Sequence, residues 1–219
     1  MKTGDFVYVH YVGRIKDTGE VFDVTIEEVA KKEGIFNPRM EYGPVPIVVD
    51  AGFVIPGLNE AVKDMKVGEK KKVEIPCEKG FGERDEGLIR VFPISVFKER
   101  NIDVSPGKYI VVNNLKGKIM SVDGGRVKID FNHPLAGKTL EYEIEVVGKI
   151  ESVEEKIKAI LYFFIGSMKD VEVTFENGRA RIRIKKALDI PRSLKQRMFE
   201  EIKKWVKDVK SVEFVDVFE

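Results

Sequence analysis

Apolar residues first fall into step at Phe6-Val7-Tyr8-Val9-His10-Tyr11-Val12, and this period of two predicts a strand. Thr25-Ile26-Glu27-Glu28 has the form of a capping box. A short helix is therefore expected there, ending near Gly34, as an excursion before the rest of the domain. Ile47-Val48-Val49 reads as the next strand. Pro56-Gly57 then opens a helix with Leu58, Ala61, Val62 and Met65 on one face, and Lys66-Val67-Gly68-Glu69 turns the chain into a strand over 70–75.

The pattern changes between residues 86 and 129. Val91-Phe92-Pro93-Ile94-Ser95-Val96-Phe97 is dense in apolar residues, Ser105-Pro106-Gly107 marks a turn, and three short strands follow over 109–112, 118–122 and 126–131. Asp123-Gly124-Gly125-Arg126 predicts a two-residue hairpin with Asp123 opposite Arg126 and Val122 opposite Val127. A compact β insert with exposed apolar residues is expected. The last third opens on a second capping box, Ser152-Val153-Glu154-Glu155, whose helix aligns Ile157, Ile160, Leu161 and Phe164. A hairpin about Asn177-Gly178, a helix with Leu194, Met198, Ile202, Trp205 and Val206 on one face, and a strand over 212–215 complete an α-β-β-α-β order.

Composition narrows the choices only mildly. A chain of 219 residues fits two or three small domains, and no apolar run approaches a membrane span. No charged-then-apolar leader precedes the first strand, and a lone Cys77 suits a reducing compartment, so a cytoplasmic protein is expected. Charged residues reach 34% yet the net charge is +1, which favours ion-pair networks over a nucleic-acid or membrane partner. With His10, His133 and one cysteine, no metal site or cofactor is expected.

Two short blocks carry the functional signal. Gly80-Phe81-Gly82-Glu83-Arg84-Asp85 lies far from Asn132-His133-Pro134-Leu135-Ala136-Gly137-Lys138-Thr139-Leu140, which runs into the alternating Glu141-Tyr142-Glu143-Ile144-Glu145-Val146. Together with Val21-Phe22-Asp23 and Val54-Ile55-Pro56-Gly57-Leu58, they resemble the FKBP-type peptidyl-prolyl cis-trans isomerases, and the separate segment between the blocks resembles the SlyD-like branch. The resemblance covers about the first two-thirds of the chain and implies an α+β fold, an antiparallel sheet wrapped on a short helix. An isomerase domain over 1–85 plus 130–151, an inserted chaperone domain over 86–129 and a C-terminal domain over 152–219 are expected.

The chemistry implied needs no nucleophile. Rotation about a peptide bond breaks its resonance, a barrier of roughly 18–20 kcal/mol. Cis and trans Xaa-Pro lie within about 1 kcal/mol yet exchange slowly. The twisted amide has less charge separation than either planar form, so an apolar, water-poor cleft favours it. By resemblance, Tyr11, Phe22, Val54, Ile55, Leu58 and Tyr142 would line that cleft, the Ile55 N–H would anchor a substrate carbonyl, and Asp23 would hold a polar edge bonded to Tyr11. Phe81, Asn132, His133 and Leu135 would form the rim. Leu58 and Phe81 stand where the drug-binding members carry a tryptophan and a tyrosine, which implies weak macrolide binding.

Taken singly, Phe22, Val54, Ile55 and Tyr142 are core residues at strand spacing, Asp23 is a turn residue and His133 a loop residue. Val91, Phe92, Ile94, Phe97, Ile110, Val112, Ile119 and Met120 are expected to offer unfolded clients an apolar face. Arg179, Arg181 and Arg183 share a face, but the hairpin register sets Arg179 opposite Glu176 and Arg183 opposite Glu172, a charge ladder rather than a nucleic-acid stripe. Phe163, Phe164, Trp205, Phe214 and Phe218 exceed what the C-terminal fold buries alone, so a homodimer is expected. An isomerase with a chaperone insert, acting on proline-containing peptides and unfolded clients, and a non-catalytic holdase on the same scaffold both remain open.

Overall fold

A computed structural model describes residues 1–167, 169–184 and 190–215. The chain forms two compact units, one of Met1–Ile75 with Leu140–Glu219 and one of Pro76–Thr139. The first unit begins with β1 (Phe6–Ile15), β2 (Val21–Val24), α1 (Glu27–Lys32), β3 (Val45–Val48), α2 (Pro56–Asp64) and β4 (Lys70–Ile75). In β1 the residues Phe6, Val7, Val9, Val12, Gly13 and Ile15 are buried, so both faces of the strand are covered and strict alternation does not describe it. Pro56 starts α2, where its missing N–H costs nothing, and Leu58, Ala61, Val62 and Met65 are all buried as the helical spacing predicts.

The capping box at Thr25 does not form. Ile26 occupies the N-cap of α1 without a side-chain bond. Thr25 Oγ1 instead accepts from the Tyr11 N–H at 2.9 Å and donates back to its carbonyl at 3.3 Å. A neighbouring strand offered the hydroxyl both a donor and an acceptor, so a tertiary pairing displaced the local cap.

The second unit holds β5 (Ile89–Pro93), α3 (Ser95–Lys98), β6 (Tyr109–Val112), β7 (Leu115–Asp123) and β8 (Arg126–Asp130), in the sheet order β5-β8-β7-β6. Gly124 and Gly125 both take positive φ, and the pairs Val122–Val127 and Asp123–Arg126 have the expected register. Phe97, Ile119, Val127 and Ile129 form its core, with Phe92, Ile94, Ile110 and Val112 packed against them. Residues 76–85 and 130–139 belong to this compact unit, whereas the sequence reading grouped them with the isomerase segments.

The chain returns as β9 (Leu140–Lys149), α4 (Val153–Ile165), β10 (Val171–Glu176), β11 (Arg179–Ile184), α5 (Arg192–Trp205) and β12 (Ser211–Val215). β9 lies between β1 and β4, β2 pairs with the other side of β1, and β3 pairs with β1 as well. Ser152 caps α4 by accepting from the Glu155 N–H, and Gly166 ends it at φ 78°. β10 and β11 pair in the predicted register, and β12 adds in parallel to β11. Glu213 of β12 therefore takes both Arg179 and Arg181, at 3.3 and 3.1 Å, while Arg183 reaches Glu172 at 3.9 Å. The ladder expected between Arg179 and Glu176 thus has a partner from a distant strand.

The C-terminal elements share a core with the isomerase sheet. Ile157, Ile160 and Leu161 of α4, Met198 and Ile202 of α5, and Ala180 and Ile182 of β11 close over Phe6, Val48 and Ile150. Phe164, Trp205 and Phe214 pack against that cluster, so part of the apolar surplus assigned to a dimer is covered by the same chain; Phe218 lies outside the described residues. No helix among the described residues is long and apolar enough to cross a membrane.

Candidate functional site

The site is assembled across the central sheet of the first unit. Gly13 of β1 stands opposite Asp23 of β2 on one side and Tyr142 of β9 on the other. The rings of Phe22 and Tyr142 meet edge-on above it, centroids 5.8 Å apart at 81°, and Tyr11 meets Tyr142 at 5.6 Å and 63°. A methyl group on Gly13 would come within 2.9 Å of Phe22 and 3.0 Å of Tyr142. Only a residue without a side chain lets both rings settle onto the sheet there. Gly13 escaped the sequence reading because a glycine inside a strand marks a close approach without saying to what.

The polar edge is the expected one. Tyr11 donates its hydroxyl to Asp23 Oδ2 at 2.9 Å. Burial, with the Asp23 charge added, pushes the Tyr11 hydroxyl far above its ordinary value, so it stays a donor. Burial also raises the Asp23 carboxyl, against the opposing bonds from Tyr11 and the Val24 N–H. Tyr142 is pushed up by the same two causes, burial first and then Asp23. Val54 and Ile55 are half-buried on the loop into α2, Ile55 capping it in an extended conformation, and Leu58 is buried in the helix. Gly57 beside it could not carry a side chain, because a methyl there would lie 2.4 Å from Ile75.

In the second unit the two sequence blocks are pinned to each other. Phe81 stacks flat on the His133 ring, centroids 4.4 Å apart at 6°. Asn132 accepts from the Asp85 N–H and donates to its carbonyl, both at 2.9 Å. Arg84 bonds Asp130, and the Gly137 N–H reaches the Gly82 carbonyl at 2.8 Å. Burial raises the Asp130 carboxyl, but bonds from Asn132 and Arg84 outweigh it and hold the group below the usual carboxylate range. The His133 Nδ1 faces the Leu135 N–H at 3.2 Å, which assigns its proton to Nε2. Leu135 is half-buried beside it.

The residues expected to form a client surface divide. Phe97 and Ile119 are 2% and 1% exposed, and Phe92, Ile94, Ile110 and Val112 pack on them, so these six make the unit's own core and inner face. Val91 and Met120 are exposed as expected, and Tyr109, Val111 and Leu115 join them. Strand alternation explains the exchange, since Ile110 and Val112 point inward and their neighbours outward. Met120 sits where the β7–β8 register slips between Ile119 and Ser121, a bulge that leaves it without a cross-strand partner.

Comparison with known proteins gives the family. Residues 1–147 match the model of the FKBP-type peptidyl-prolyl cis-trans isomerases, and residues 153–219 match a model described as FKBP26 C-terminal. A short-type peptidyl-prolyl cis-trans isomerase of Methanocaldococcus jannaschii is 43% identical over 146 residues, 67% of this chain and 92% of that protein. A probable FKBP-type 16 kDa isomerase of Pseudomonas fluorescens is 31% identical over 59% of this chain and 89% of its own length. The SlyD isomerase of Helicobacter pylori is 28% identical over 61% of this chain and 76% of its own. With a family match over 1–147, and with the Tyr11, Phe22 and Tyr142 rings clustered beside Asp23, the chain belongs to the FKBP-type peptidyl-prolyl cis-trans isomerases.

Proposed function

We propose that the chain accelerates cis-trans exchange of Xaa-Pro bonds in peptides and in partly folded proteins, in the cytoplasm. The observation that supports this is the cluster of Tyr11 and Phe22 edge-on to Tyr142, with one hydrogen-bonded carboxylate at Asp23. Proline has no N–H, so an Xaa-Pro segment enters such a cleft with one fewer group to desolvate. The rings exclude water and favour the less polar twisted amide, while the Ile55 N–H at the start of α2 holds the adjacent carbonyl. Tyr11 keeps Asp23 oriented. A tetrapeptide isomerisation assay tests the reading, and a rate no higher than the uncatalysed exchange would refute it.

A client-holding role for the second unit rests on its outward sheet face. Val91, Tyr109, Val111 and Met120 are exposed there, interleaved with exposed Lys116, Lys118 and Lys128. Apolar residues set among lysines suit loose binding of unfolded segments. Because both ends of the unit continue in the chain into the isomerase segments, clients held on it have their prolines at raised effective concentration for the enzyme. Replacing 86–129 by a Gly/Ser bridge across the Asp85–Asn132 pairing should spare tetrapeptide turnover, greatly slow proline-limited refolding and abolish suppression of aggregation. Equal loss of both activities would make the segment structural support only. A homodimer through 152–219 has its support in β10 and β12, the outer strands of their sheet among the described residues, and light scattering decides it.

A further inference from the structure

Ile157, Ile160 and Leu161 of α4 are buried in the core, and its last turn joins that core through Phe164 and Ile165 while also reaching a loop of the isomerase segment. Phe163 stacks on Phe53, centroids 4.5 Å apart at 14°, and Phe164 meets the same ring at 6.4 Å. Phe53 immediately precedes Val54 and Ile55. Just beyond the helix, Ser167 donates to Glu41 Oε1 at 3.0 Å and Lys169 lies 3.9 Å from the same oxygen, Glu41 being on the connection from α1 to β3. The end of α4 is thus fastened to two loops of the isomerase domain, one of them the loop into α2.

Tyr162 lies within this clamp. It is half-buried and edge-on to Phe163 at 5.6 Å and 80°. Its hydroxyl has no hydrogen-bond partner among the described residues, yet no buried polar side-chain atom there is left unsatisfied, so this oxygen is open to solvent. Burial, then the charges of Asp23 and Glu41, raise its ionisation above the ordinary value, and Tyr162 in turn contributes to the rise at Tyr11. The phenol is therefore within electrostatic reach of the Tyr11–Asp23 edge and stays protonated, with an O–H free to donate.

We propose that Tyr162, from the C-terminal segment, is a wall of the proline cleft and donates its hydroxyl to a backbone carbonyl of the residue flanking the substrate proline. The inference rests on the isomerase reading and adds a specificity residue from outside the matched isomerase region. A peptide beside proline offers carbonyls freely, and a neutral hydroxyl donor suits that acceptor better than an ionised carboxylate would. The last turn of α4 is then part of the enzyme's substrate contact as well as a packing element.

The test uses the full chain and its Tyr162→Phe and Tyr162→Ala variants. Initial rates on a series of Xaa-Pro tetrapeptides give kcat and KM separately, thermal unfolding is followed in parallel, and a proline-containing tetrapeptide is titrated calorimetrically. Losing one uncharged hydrogen bond should raise KM about threefold to tenfold in Tyr162→Phe with kcat held. Tyr162→Ala should raise it further. An unchanged KM with a lowered Tm makes the residue structural and overturns the proposal. So does a rise in kcat/KM, which would mean that the ring obstructs the cleft. A wild type that turns over no peptide refutes the isomerase reading itself. The titration still decides the present point, because equal Kd for wild type and Tyr162→Phe overturns it.

Discussion

In the first unit the aromatic residues marked as functional turn toward one another, and Tyr142 is 3% exposed. In the second unit the residues marked in the same way are divided, with Phe97 at 2% and Val91 at 56% exposure. The isomerase sheet and the insert sheet are both antiparallel and rich in apolar residues. They differ in what the outward parity carries. In the isomerase sheet, Lys70 and Lys72 of β4 pair with Glu145 and Glu141 of β9 at 3.1 and 2.7 Å, giving a charged surface. In the insert, Tyr109, Val111 and Met120 stand exposed among lysines, one of which, Lys116, lies over the Tyr109 ring at 4.9 Å. The ring cluster hides its apolar groups from water, whereas the insert leaves part of its own in it.

The largest effect that separates the two parities lies inside the insert. Phe97→Ala opens a cavity in a core of four buried residues and should destabilise the second unit by about 3–5 kcal/mol. Val111→Ser with Met120→Ser should change stability by no more than about 0.5 kcal/mol each, as surface substitutions do, while aggregation suppression is lost. Denaturant unfolding and a client light-scattering assay on the same samples read both. If the outward pair unfolds the unit, or leaves client holding intact, the contrast between its two faces fails.

Local chemistry made much of this legible. β4 has the predicted bounds of 70–75, and the Asn177-Gly178 and Gly124-Gly125 turns set their registers correctly, because two-residue loops admit few geometries. That Tyr11, Phe22 and Tyr142 would cluster was legible only through the family pattern, since Phe22 or Tyr142 alone reads as core. What stayed hidden was nonlocal. Thr25 chose a strand over a cap, Glu213 reached Arg179 and Arg181 through a parallel pairing, and Phe163 found Phe53 across more than half the chain. The inward parity of β6 was equally unreadable, because Tyr109, Ile110, Val111 and Val112 are all apolar enough to face either way.

A smaller effect sharpens the cleft side of the contrast. Phe22→Ala should admit water beside Tyr142 and lower kcat/KM at least about tenfold, near 1.4 kcal/mol of transition-state stabilisation. Gly13→Ala should act in the same direction without removing any ring, by displacing both rings that its methyl would meet. Thermal unfolding separates the two substitutions from simple loss of fold. Full activity in Gly13→Ala would show that the close ring seating is packing alone.

The smallest effect concerns the join between the isomerase sheet and the C-terminal elements. Tyr8 of β1 donates to Glu155 of α4 at 2.9 Å. A bond from Lys158 holds the Glu155 carboxyl below its ordinary value of 4.5, with burial opposing and Tyr8 assisting. Burial and then Glu155 push Tyr8 from 10.0 up to about 12. A depressed carboxyl contributes stability above 4.5 that is lost as pH falls through the folded value, and a raised phenol contributes below 10.0 what is lost as pH approaches 12. The bond is therefore at full strength between those limits. Tyr8→Phe should cost about 1 kcal/mol there, a figure that solvent screening of the partly exposed Glu155 reduces. Stability curves of the two proteins should run parallel across that window and converge at both ends. A gap that persists in acid would trace the loss to packing at Tyr8 rather than to its bond with the carboxylate.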